Sequence, residues 1–215
     1  MERPRQYGES AKFVADINRT TRPWTSLPSS ARPRAPSATR HTSPLRTLPR
    51  RLIVWLVPIL LTLHNAEEAI AFRSYLPKVP ALLPAPLSTL AARMPYSALL
   101  EALVVLSALV FVLAFAVEAR PASRALLWLL LSVEAAVGLN GIAHLLSAAL
   151  VFRGYGPGLF TALIVNVPFA VYCFIRSQRE RWLTPVALWT TVPAAFVLHG
   201  PVLFAGLWLA SRPRM

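Results

Sequence analysis

Acidic side chains are scarce in this chain. Only nine of its 215 residues are Asp or Glu, against 22 Lys and Arg, and charged residues of both signs make up 14%. Ordinary soluble domains carry roughly 25%, so a water-exposed surface of the usual kind is excluded. Cysteine occurs once, as Cys173 inside an apolar run. No internal disulfide is possible, and the thiol reads as a small buried apolar residue. P-loop, dinucleotide-binding and Gly-x-Ser-x-Gly patterns are missing, which argues against nucleotide chemistry and against serine hydrolysis of the usual kind.

What is present is apolar surface. Hydrophobic residues make up 55% of the chain, with a mean hydropathy of +0.52, and they come in long runs separated by short charged gaps. That pattern predicts an all-α polytopic transmembrane bundle of about five spans. The spans are Leu52 to about Phe72, Tyr96 to Val117, Ala125 to Phe152, a fourth after the turn Arg153-Gly154-Tyr155-Gly156-Pro157-Gly158 and ending near Ile175, and Trp182 to Ala210. Pro193 and Pro201 are expected to kink or break the fifth. The segment with Pro77, Pro80, Pro84 and Pro86 is expected to be a loop. Two regions follow: a tail over residues 1–50 and a helical domain over 51–211.

The net charge of +13 suggests nucleic acid, but its distribution does not. Residues 1–51 hold 11 of the 22 basic residues and three acids, so +8 of the +13 lies there. No stacking or groove-reading pattern accompanies the charge. An Arg-, Pro- and Ser-rich segment of this kind is expected to be disordered. Beside a first span it reads as a topology signal or a contact for anionic lipid headgroups, with the N-terminus cytoplasmic. An organelle transit peptide and an over-extended gene start both remain open for it.

Four acids (Glu67, Glu68, Glu101 and Glu134) and three of the four histidines (His64, His144 and His199) fall inside predicted spans. An ionisable group in hydrocarbon costs at least a few kcal/mol and usually faces the bundle interior at a functional site. His64, Glu67 and Glu68 share one helical face. Asn140 and His144 lie four apart, and Glu134 lies about 80° around the helix from His144. Counting rise per residue brings most of these groups to overlapping depth, the arrangement of an intramembrane pocket. Asn166, Thr161 and Ser147 read better as pins between helices. Glu101, near a helix start, and His199, between two prolines, are each as readily structural as functional. Tyr155 either sets its hydroxyl over the pocket mouth or anchors the interface.

His64-Asn65-Ala66-Glu67-Glu68, the later His144 and Tyr155-Gly156-Pro157-Gly158 together resemble the HXXEE-domain membrane family over roughly residues 52–175. That family is suspected to be enzymatic, with no assigned reaction, so the resemblance implies a site more than a chemistry.

The residues leave several functions open. Metal-free acid/base catalysis on a lipophilic isoprenoid or lipid substrate, by isomerisation, cyclisation or epoxide opening, would use carboxylates and histidines whose proton affinities differ with environment. No cofactor is needed for it. A zinc or non-haem iron enzyme would use His64, Glu67, Glu68 and His144 as ligands. His-x-x-Glu-Glu lacks the second histidine of His-Glu-x-x-His, so such ligands must come from two helices. A proton-coupled transporter would use the same groups as a relay; no internal repeat supports it. A purely structural role leaves the buried acids unexplained.

Overall fold

The computed structural model describes residues 48–82, 85 and 87–210; the expectations for residues 1–47 lie outside them. Among the described residues there is no strand, and five helices are long and apolar enough to cross a membrane. We label them α1 (Arg50–Tyr75), α2 (Tyr96–Ala119), α3 (Arg124–Phe152), α4 (Leu159–Arg179) and α5 (Pro185–Gly206).

Local chemistry sets their ends. Pro49 and Pro95, both extended, immediately precede α1 and α2. Proline favours such places because its missing N–H has no helical partner to lose there. Ser123 caps α3 by accepting the Leu126 N–H at 3.3 Å, and Thr184 caps α5 by accepting that of Ala187 at 3.3 Å. Helix α3 ends in a π turn, Ala148–Phe152, closed by Arg153 in the left-handed region.

Internal prolines shape α4 and α5. Pro168 cannot donate to the carbonyl four residues back, and the preceding turn, Ala162–Asn166, widens to a π turn. The same occurs over Leu198–Val202, which contains Pro201. Upstream of Pro193 the helix is interrupted at Thr190, so the expected disruption of the fifth span takes these two forms. The proline-rich segment after α1 is not wholly loop: short helices cover Val79–Leu82 and Leu87–Arg93. Pro80 sits in the first turn of one of them, where a missing N–H is harmless.

The core is apolar: Val54, Val57 and Leu61 of α1 meet Val110, Ala114 and Val117 of α2 and Leu130 and Val137 of α3. Lipid is as apolar as leucine, so close packing and polar contacts hold such helices together. Asn65 provides one such contact, donating to the Leu103 carbonyl at 3.2 Å and to Ser107 Oγ at 2.9 Å. Successive spans alternate in direction. The start of α1, the end of α2 and the end of α4 therefore share one face, which we call the tail face. There Arg51 pairs with Glu118 at 2.8 Å, Arg176 with Glu180 at 2.6 Å, and the Arg50 guanidinium lies 5.7 Å from the centre of the Trp182 ring.

Candidate functional site

Near the opposite face, α1, α3 and the start of α4 converge on His64. Its ring is fully buried. His64 Nδ1 lies 2.7 Å from Thr161 Oγ1, and the Asn140 Nδ2–H group lies 2.9 Å from His64 Nε2. The Thr161 hydroxyl is 2.6 Å from Glu67 Oε2. A hydroxyl has one proton, and the carboxylate is its strongest acceptor. Thr161 Oγ1 therefore accepts from His64 Nδ1–H. Nε2 is left as the bare nitrogen that accepts from Asn140, so two neighbours set the tautomer of the buried imidazole.

Glu67 is bound on all sides by the segment that follows α3. Its Oε1 accepts from the Tyr155 hydroxyl at 2.8 Å and the Phe160 N–H at 3.0 Å, and its Oε2 accepts from the Thr161 N–H at 2.7 Å as well as from the Thr161 hydroxyl. The free N–H groups and partial positive charge at a helix start favour a carboxylate there. Glu67 thus clamps the beginning of α4 to α1. Tyr155 turns its hydroxyl to Glu67, and its own carbonyl accepts from Tyr75 at 2.9 Å. Burial of the hydroxyl and its bond to Glu67 push the Tyr155 pKa up to about 12.

Glu68 points elsewhere. Its Oε1 lies 2.9 Å from His144 Nε2 and 3.9 Å from His64 Nε2. His144 Nε2 is buried and has no hydrogen-bond partner among the described residues. The Glu68 carboxylate thus lies within ion-pair distance of the ring nitrogen but off the direction a hydrogen bond requires. The two imidazoles meet edge-on with centroids 5.0 Å apart. One ligand atom from each of His64, Glu68 and His144 lies within 4.8 Å of the others, and such a group could hold a metal ion.

Gly158 closes the site. Its φ is +76°, and a Cβ there would come within 2.7 Å of His64 Cε1 and 3.0 Å of His144 Cε1. Both the left-handed backbone and the close approach require glycine.

Among the residues expected from the sequence, His64, Glu68, His144 and Asn140 come together, with Glu67 and Tyr155 fastening the turn beside them. His199, half-buried on the π turn of α5, lies within electrostatic reach of His144 and Glu68. Glu101 is exposed on α2, and Glu134 is buried deeper in α3; neither belongs to the converging three. Thr161, read from sequence as a helix pin, is the link between His64 and Glu67. Its only sequence signal is its place three residues after Gly158. One open cavity of about 600 Å³, lined by Arg73, Leu76, Pro80, Met94 and Tyr96 among others, contains none of the converging residues.

Five apolar helices with polar groups turned inward define a polytopic helical membrane protein. Residues 55–173 match the family described as "Protein of unknown function with HXXEE motif", and the chain belongs to that family. No curated protein and no solved structure matches it.

Proposed function

We propose that this protein is a membrane-embedded enzyme that performs acid/base chemistry on a lipophilic substrate of isoprenoid or lipid type. The supporting observation is the pairing of Glu68 with His144 at 2.9 Å beside a second histidine of set tautomer. One group gives a proton while its neighbour removes one, as isomerisation, cyclisation or epoxide opening requires. Glu67 is a positioning residue, because its oxygens already accept four hydrogen bonds. The flanks of α1 and α3 expose Leu63, Ile70, Ile142 and Leu146, so a substrate entering sideways comes from hydrocarbon. By the excess of Arg on the tail face, the N-terminus is cytoplasmic and the site lies toward the outer leaflet. The basic tail rests on anionic headgroups.

The test is turnover of a panel of polyprenyl alkenes, epoxides and membrane lipids by detergent-purified protein, read by mass spectrometry. Product from the parent and none from Glu68→Gln supports the proposal. Absence of turnover, with proton flux in liposomes, would replace it with transport.

A second reading has its own support in the three donor atoms within 4.8 Å of one another and the unpartnered His144 Nε2. Two imidazoles and a carboxylate suit zinc or non-haem iron. The His64–Thr161–Glu67 chain is then the outer support that ligating histidines usually have. Elemental mass spectrometry of the parent and His64→Ala separates the two readings.

A further inference from the structure

Elsewhere the chain satisfies its buried polar groups economically. Ser132 and Ser107 each donate to the carbonyl four residues back, at 2.8 and 2.9 Å, and Thr62 does the same at 2.7 Å. Buried Asn65 donates to two acceptors. Besides His144 Nε2 and Arg176 Nε, three groups on the contact between α3 and α4 break this habit. Glu134 Oε1, both amide atoms of Asn166 and Ser177 Oγ have no hydrogen-bond partner among the described residues. Their residues are 3%, 1% and 0% exposed. Groups that only pin helices would be bonded; a buried carboxyl with an oxygen left unbonded is costly in hydrocarbon and persists where it is used.

Spacing and register place them. Asn166, Ala170, Cys173 and Ser177 are four, three and four residues apart, one face of α4. Glu134, Gly138 and Gly141 form the matching stripe on α3. A Cβ on Gly138 would meet Ala170 Cβ at 2.6 Å, and one on Gly141 would meet Val167 at 2.8 Å, so the helices touch there. Cys173 lies within electrostatic reach of both Glu134 and Arg176. The touching residues divide the seam. Glu134, Cys173 and Ser177 lie on the tail-face side, where α4 also carries Arg176. Asn166 lies on the other side, toward His64 and His144.

We propose that Glu134 is a second protonatable site, distinct from the histidine–glutamate group, and that water reaches it from the tail face along Ser177. Glu134 stands ten residues into α3, about 15 Å from its start and so near the middle of a core about 30 Å thick. Water entering past Ser177 supplies the bonds that Glu134 and Ser177 lack. Protons then exchange between Glu134 and that water, and the contact of Gly138 with Ala170 separates Glu134 from Asn166 along the seam. The site stands whether or not the histidine group is catalytic.

Cys173 is the reporter, because the chain has no other thiol. Its S–H stretch is followed by infrared spectroscopy after transfer of vesicle-reconstituted protein into D₂O. The expected result is rapid exchange to S–D in the parent, slowing by about tenfold or more in Ser177→Leu, and no slowing in Asn166→Leu. A thiol that stays protected for hours in the parent overturns the proposal, as does slowing by Asn166→Leu equal to that by Ser177→Leu. The parent measurement alone decides if a variant fails to fold.

Discussion

Gly158 lies directly against His64: a single added methyl would stand 2.7 Å from the ring carbon Cε1. The turn between α3 and α4 is thus a wall of the site, and its glycine is needed for two separate reasons. Gly158→Ala is expected to displace the imidazoles and remove activity. Forcing an alanine into the left-handed region also costs about 1–2 kcal/mol, visible as a lower Tm. Gly206→Ala, where nothing lies within 4 Å, is expected to leave both unchanged.

Thr161→Val keeps the shape of the side chain but removes the hydroxyl between His64 Nδ1 and Glu67. The imidazole then loses the partner that sets its tautomer. Loss of such an orienting group typically costs 10–100-fold, and turnover should fall by about that amount while the protein remains monodisperse. Thr161→Ser should restore most of it.

His144→Ala should be more severe, about 10²–10⁴-fold, the usual worth of a positioned proton donor or acceptor. Its side chain is partly exposed at the site, so the variant should still insert and purify as the parent does. Activity measured beside size-exclusion behaviour checks both halves of this expectation.

The Tyr155–Glu67 bond has a signature at alkaline pH. The folded-state pKa of Tyr155 is raised to about 12 from 10. Its contribution to stability is therefore complete below pH 10 and is lost as the pH rises through about 12. Thermal unfolding followed between pH 9 and 12 should show this loss in the parent and a smaller one in Tyr155→Phe.

The architecture was legible because hydropathy runs and prolines act locally. The second span was expected over Tyr96–Val117 and is found over Tyr96–Ala119; the third, expected from Ala125 to Phe152, begins one residue earlier at Arg124. The first, expected from Leu52 to about Phe72, runs from Arg50 to Tyr75. The site was half legible. Helical spacing brought His64, Glu67 and Glu68 to one face and paired Asn140 with His144. It could not divide Glu67 from Glu68, which sit 100° apart on α1. That division comes from the turn after α3, which folds back over α1 and takes Glu67 for itself. Nor could spacing separate bonded from unbonded polar residues: Asn65 and Asn166 look alike in sequence, yet one finds two acceptors on α2 and the other finds no partner among the described residues.

The most direct test of the Glu68–His144 pair is solvent-proton incorporation. Membranes containing the parent or Glu68→Gln are incubated in D₂O with the isoprenoid and lipid panel, and products are weighed by mass spectrometry. The account predicts a product that carries deuterium from solvent with the parent and no product with Glu68→Gln. The same labelled product at an equal rate from Glu68→Gln would contradict it.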